Sequence, residues 1–278
     1  MVEARRDTPL ARIEALMSTI QRRMTRILIP CATCAVALSA CTAGAPASTS
    51  LPRSDDPFVL DPADFTTEID NTYWPMEPGT RWTYRELDSD GAAFTVDVTV
   101  TSETKSIANG IEARVVRDTV RQDGDIVEDT FDWYAQDAAG AIWYLGEDTA
   151  EFEDGELVSR GGSFEAGVDG ALPGIAVPAD PEPGMEYRQE YAAGEAEDNG
   201  AVLSVEELVE VPYGRFDGAL LTRDTDALEP DVAELKLYAP GVGPVLTLDI
   251  SGGSGREELL DVTTVPAGTG TGPLGSPD

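Results

Sequence analysis

Between residues 80 and 263 apolar and β-branched residues alternate at period two, and short polar turns interrupt the alternation repeatedly. No stretch carries the three-to-four spacing of a long amphipathic helix, so the chain has to bury one face of strand after strand. Strands are predicted over 80–87, 94–103, 111–122, 126–136, 142–147, 151–152 and 157–160, and again over 185–191, 203–211, 219–226, 233–238, 245–249 and 257–263. Residues 204–211 also fit a short helix. Asp88-Ser89-Asp90-Gly91 and Asp123-Gly124-Asp125 read as hairpin turns, the second more strongly, because Asp-Gly suits the primed turns whose twist matches paired strands. The fold class is mainly β, an antiparallel meander forming a curved sheet, a sandwich or an open half-barrel. A passage rich in Pro and Gly at 168–184 divides the sheet into two halves or two subdomains.

The N-terminal part has a different logic. Arg22, Arg23 and Arg26 precede an apolar run from Ile27 to Leu38, which is too short to span a bilayer as a helix but suits an export signal. Leu38-Ser39-Ala40-Cys41 resembles the lipobox of bacterial lipoproteins, which implies lipid attachment at Cys41 and removal of residues 1–40. Met17 or Met24 would give the signal a more usual start than Met1. Residues 41–57, rich in Ala, Ser, Thr and Pro, form a flexible tether. A single domain follows over 58–265, and the Gly- and Pro-rich 266–278 reads as a disordered tail.

Charge excludes several functions. After residue 40 the chain has 13 basic and 49 acidic residues, about 36 net negative charges, so no basic stripe is available for nucleic acid. An anionic leaflet would repel such a domain, which leaves acyl chains as the membrane contact, on the outer face of the cell membrane. The same acidity favours a soluble monomer. There is no histidine, and the three cysteines are Cys31, Cys34 and Cys41, so the mature domain has neither a thiol pair nor an imidazole. This removes Ser-His-Asp catalysis, thiolate nucleophiles and most transition-metal sites, and no cofactor or metal is expected. Asp88 with Asp90, and Asp123 with Asp125, Glu128 and Asp129, offer oxygens for calcium, but none follows an EF-hand pattern and Asp-Gly turns account for the same residues.

Two aromatic pairs remain. In Trp133-Tyr134 and Trp143-Tyr144 adjacent residues point to opposite faces of a strand, so each pair places one ring on each side of the sheet. One face is core, and the other is a candidate platform for an apolar ligand or a glycan. Trp82 and Tyr84 share a face and read as core.

Several segments resemble a family of bacterial secreted proteins and lipoproteins of unassigned function. They are Asp70-Asn-Thr-Tyr-Trp-Pro-Met-Glu-Pro-Gly-Thr-Arg-Trp-Thr-Tyr84, Asp132-Trp-Tyr-Ala-Gln-Asp137, Ile142-Trp-Tyr-Leu-Gly-Glu-Asp-Thr149 and Tyr238-Ala-Pro-Gly-Val-Gly243. A looser, fold-level likeness is to lipoprotein-carrier-like half-barrels, which hold acyl chains against a curved sheet. The resemblance transfers no activity. The expectation is a lipid-anchored, extracytoplasmic β domain with a non-catalytic binding or envelope role, its ligand an apolar molecule, a lipid or a partner protein. The alternative is a carboxylate-based carbohydrate-active or other hydrolase. An apolar cavity points to binding, and a cleft with two facing carboxylates points to hydrolysis.

Overall fold

The computed structural model describes residues 51–276. The export segment, Cys41 and most of the tether lie outside the described residues. Among these residues a 3₁₀ turn at Pro62–Asp64 precedes sixteen strands. They are β1 (Phe65–Thr66), β2 (Thr80–Leu87), β3 (Ala93–Ser106), β4 (Glu112–Gln122), β5 (Asp125–Asp137), β6 (Ile142–Glu153), β7 (Glu156–Ser159) and β8 (Phe164–Glu165), followed by β9 (Leu172–Val177), β10 (Glu186–Arg188), β11 (Glu190–Tyr191), β12 (Asp198–Val211), β13 (Gly214–Asp226), β14 (Ala233–Ala239), β15 (Gly243–Ser251) and β16 (Arg256–Thr264).

Two antiparallel meanders, β2 to β6 and β12 to β16, become one sheet because β16 pairs with β2. Beyond β6 the sheet continues through β9 to β11, and beyond β12 it continues to β10. Only Gln189 separates β10 from β11, so the chain itself joins the two ends and the sheet curls into a nearly closed barrel. Closure of this kind leaves few strand edges unpaired. Arg188 holds the seam. Its backbone pairs with Asn199 of β12, while Nε and Nη2 donate to the Pro173 carbonyl of β9 at 3.1 and 2.8 Å. Gly174 of β9 passes so close that a Cβ there would stand 2.1 Å from the Gln189 carbonyl oxygen.

The hairpin turns carry the backbone their residues require. Asp123 and Gly124 have φ of 54° and 97°, and Asp154 and Gly155 have φ of 51° and 78°, a primed turn in each case. The segment 168–184, expected to divide the sheet, instead supplies β9 to the barrel wall. Residues 204–211 are strand, in antiparallel pairing with β13 that runs on through register irregularities near Ser204 and Glu207.

Two segments expected to be loose are docked. The Pro52 carbonyl accepts from Arg188 N at 2.7 Å, and Arg188 Nη1 donates to the Ser54 and Asp56 carbonyls at 2.6 and 3.0 Å, so the end of the tether belongs to the domain. Residues 266–276, read from composition as disordered, lie on the outside of the barrel. Gly275 N donates to Asp129 Oδ2 at 2.7 Å and Arg117 Nη2 donates to the Ser276 carbonyl at 2.9 Å. The physical reason is a buried ion pair, Arg117 with Asp129, that the tail covers and helps to satisfy.

One end of the barrel is plugged. The segment 70–76 runs from the β5–β6 turn, where Asn71 Nδ2 donates to the Gly140 carbonyl at 2.8 Å, to the β14–β15 turn, where Gly241 N donates to the Thr72 carbonyl at 2.7 Å. It brings Trp74 against the rings of Tyr134 and Tyr238, at 5.2 and 6.1 Å between centroids.

Candidate functional site

The barrel encloses a cavity of about 510 Å³, open at the end opposite the plug. Period-two alternation decides what lines it. Going from plug to mouth, the inner face carries Trp82, Tyr84 and Glu86 on β2, Tyr134, Asp132, Thr130 and Glu128 on β5, and Tyr238, Lys236 and Glu234 on β14; of these Tyr84, Tyr134, Asp132, Tyr238, Lys236 and Glu234 line the cavity itself. On the same face of β13 the order is Leu220, Thr222, Asp224 and Asp226, and on β16 it is Leu259 then Glu257, with Asp224, Asp226 and Glu257 lining the cavity. The strand registers bring these series side by side in one direction. The lumen therefore has an aromatic floor and an acidic mouth. Nine carboxyl groups and one ammonium, that of Lys236, line it.

The floor is tied down by the two ends of the resemblance. Trp82 Nε1 donates to the Val242 carbonyl at 2.7 Å and Tyr84 OH donates to the Pro244 carbonyl at 3.0 Å. Gly243, at φ 118°, sits where a Cβ would meet Trp74 Cδ1 at 3.0 Å.

The wall between β5 and β6 breaks the simple alternation. Asp132 pairs with Glu147 and Tyr134 with Tyr144, so β6 has one residue more than β5 between these pairs. This bulge at Leu145-Gly146 puts Tyr144 and Glu147, three apart, on the same face. Gly146 has φ 126°, and a Cβ there would lie 2.3 Å from the Phe164 carbonyl oxygen of β8. As a result Tyr144 OH lies 2.8 Å from both Asp132 Oδ1 and Glu147 Oε2. One phenol has one proton to give. It donates to one carboxylate, and the other interaction requires that carboxyl to be the acid and donate to the phenol oxygen.

Burial and crowding hold further protons in the lumen. Burial, then neighbouring carboxylates, raises Asp118 well above the ordinary range. Burial raises Glu147 to about 7 against the opposing hydrogen bond from Tyr144, and raises Glu257 to about 7 with help from Glu86. At the seam Glu190 is pushed up to about 10 by burial and by its hydrogen bond with Asp198. Burial also raises Tyr84, Tyr134, Tyr144 and Tyr238, so the phenols stay neutral. For Lys236 burial favours the free amine, but Asp224 and Glu234 outweigh it and keep the ammonium. Lys236 Nζ meets Asp224 Oδ2 at 3.1 Å. Buried polar atoms on the lumen side without a hydrogen-bond partner include Trp74 Nε1, Asp118 Oδ1, Thr222 Oγ1 and Asp224 Oδ1.

The four rings singled out from sequence separate by face. Tyr134 and Tyr144 line the lumen with their rings 5.1 Å apart. Trp133 and Trp143 are buried on the outer side. Lys105 Nζ lies 4.3 Å over the Trp133 ring, while Phe58 and Phe65 pack on Trp143, whose Nε1 donates to Asp137 Oδ2 at 2.9 Å. The carboxylates of the lumen and Trp74 were not singled out, because 49 acidic residues hide those that share a cavity. A signal was present in Trp82-x-Tyr84-x-Glu86 and Tyr238-x-Lys236-x-Glu234, where one strand face changes from aromatic to charged. Among the described residues no cluster of three acidic side chains is arranged to hold a metal ion. Asp88 accepts from Asp90 N and Ala92 N in its own turn, and Asp129 is engaged by Arg117.

No protein-family model matches the chain, and no curated protein matches it. Three solved structures are similar. One is a protein thought to be exported, with a YmcC-like fold, from Bacteroides fragilis, at 13% identity and a TM-score of 0.41 over 70% of this chain and 100% of that one. Another is a protein thought to be a lipoprotein from Parabacteroides distasonis, at 12% identity and 0.38 over 69% and 99%. The third is a β-barrel-like domain of unknown function from Brucella abortus, at 14% identity and 0.36 over 67% and 98%.

Proposed function

We propose that this chain is an extracytoplasmic binding protein, held at the membrane by lipid on Cys41, that takes a small molecule with an apolar body into the barrel lumen. The observation that carries the reading is a preformed cavity of about 510 Å³ with an aromatic floor and an open mouth, within the usual size of a small-molecule site. Monomeric behaviour and attachment through acyl chains alone follow from the acidity of the surface. The neutral fluorophore N-phenyl-1-naphthylamine tests the lumen: saturable one-to-one binding is expected, and Val98→Trp, which fills the cavity wall, should abolish it. Failure of the wild-type protein to bind the probe removes the reading. For the anchor, Cys41→Ser should shift the protein from the membrane fraction to the soluble one, or leave it unprocessed. Unchanged retention with normal processing argues against lipidation.

A hydrolase reading is supported by Asp132 and Glu147, two carboxyl groups that share one phenol. Retaining glycosidases place two carboxyl groups about 5–5.5 Å apart, on either side of the scissile bond. Here the two residues are direct partners on adjacent strands and stand side by side on one wall, with the phenol between them. That arrangement supports binding over hydrolysis. Release of nitrophenol from aryl glycosides, lost on Asp132→Asn, would reverse this order.

A further inference from the structure

We propose that the ligand of the lumen is a cationic amphiphile, a protonated organic amine whose apolar body rests on the aromatic floor and whose ammonium group lies among the carboxyl groups of the mouth. This rests on the lumen-binding reading and adds the chemical class of the ligand.

The first support is the direction of the polarity gradient. Every strand series described above begins at the plug with an aromatic or apolar side chain and ends at the mouth with a carboxyl group, so the cavity is sided like an amphiphile. A purely apolar guest would leave the acidic half unmatched, and an anionic amphiphile would meet repulsion from all sides.

The second support is independent of charge counting. Asp224 is 5% exposed and lines the lumen, yet its Oδ1 has no hydrogen-bond partner, and Oδ2 is engaged only by Lys236. Asp118 Oδ1 is a second buried carboxyl oxygen without a partner, on a group that burial pushes toward its protonated form and that an adjacent ammonium would ionise by displacing that proton. Buried acceptors left without donors are costly and rare, and the missing partner they share is a donor. An ammonium group supplies three N–H donors and no acceptor, the complement of such a set. Lys236 already shows that this environment retains a protonated amine, since its carboxylate neighbours outweigh the cost of burial.

The floor suits the other half of the ligand. Trp74 is in ring contact with both Tyr134 and Tyr238, and the three present apolar area, with neutral phenols. Their faces also attract a cation that reaches deeper.

The test compares one chain length in three charge states at pH 7 by isothermal titration below micellar concentration: decylamine, decanol and decanoate. The expected order is decylamine tightest, by about tenfold or more over decanol, with decanoate not bound. Asp118→Asn, isosteric and without an ion pair to break, should weaken decylamine about tenfold and leave decanol unchanged. If that variant does not fold, as read by circular dichroism, the three-ligand series on the wild-type protein decides alone. Equal binding of decylamine and decanol, or tighter binding of decanoate, overturns the cationic ligand and leaves lumen binding standing. Binding of none of the three overturns both.

Discussion

The phenol of Tyr144 shows how much one residue decides here. It lies between Asp132 and Glu147, and its one proton favours the charged form of whichever carboxyl accepts it, against the burial that raises both. Tyr144→Phe removes that donor, so the midpoint of Glu147 should move above about 7, read by carboxyl ¹³C chemical shifts against pH. An unchanged midpoint would show that the phenol does not control the pair. Two glycines make a second contrast at this scale. Gly124 has positive φ but open space around it, so Gly124→Val should cost roughly 1–2 kcal/mol in chemical denaturation, from backbone strain alone. Gly146 combines positive φ with the Phe164 carbonyl at 2.3 Å from a built Cβ, so Gly146→Ala should cost more, roughly 2–4 kcal/mol, despite the smaller side chain. Equal costs would mean that the close approach at the bulge relaxes freely.

Among the elements, the C-terminal segment and the seam are the parts that composition misjudged. Residues 266–276 look disordered because Gly and Pro bury little, yet they satisfy an ion pair whose partners are 1% and 0% exposed. In the full-length protein Arg117→Ala leaves Asp129 buried without its counter-charge, and the expected loss is roughly 3–5 kcal/mol. Deleting 266–278 should cost less by itself, about 2 kcal/mol for the lost hydrogen bonds. The two changes should be less than additive, because without the tail Asp129 reaches water. A double-mutant cycle by urea denaturation measures this, and strict additivity would show that the tail does not cover the pair. The strands and their turns were legible: the D-G hairpins and the alternation from residue 80 onward need only local backbone chemistry. The pairing of β16 with β2 and the seam at Gln189 were not, since they join positions far apart in sequence and depend on how far the sheet twists.

For the whole molecule, the lumen carboxyls set the pH dependence of stability. Glu147 and Glu257 titrate near 7 in the folded barrel, above their ordinary value. A raised folded pKa means that the native state binds more protons between the two values, so this contribution is complete below about pH 4.5 and is lost as pH rises through 7. Glu258 has the opposite sign. Its hydrogen bond with Arg256 lowers it, so its smaller contribution disappears as pH falls below the ordinary glutamate range. The melting temperature should therefore be higher at pH 5 than at pH 8, by an amount on the order of 2–4 kcal/mol in stability. A flat profile, or a maximum at pH 8, would show that the lumen carboxylates are solvated well enough to titrate normally. Bound amine should flatten the same profile by compensating the charges that appear above pH 7.

What the sequence determined by itself is the class of fold and the chemistry it excludes. Alternation at period two can only be buried as sheet, and a chain without histidine, and without cysteine after Cys41, cannot build in its β domain the sites that need them. It also marked Trp133-Tyr134 and Trp143-Tyr144 as pairs with one ring on each face, without deciding which rings look inward. It could not show that Tyr134 and Tyr144 share a face with Asp132 and Glu147, because the bulge at Leu145-Gly146 shifts the alternation by one and exists only where β8 presses on β6. Nor could it show that nine of many acidic residues converge on one cavity. That convergence depends on barrel closure, in which twist and shear bring the acidic ends of separate strands to one mouth, and no local rule along the chain contains it.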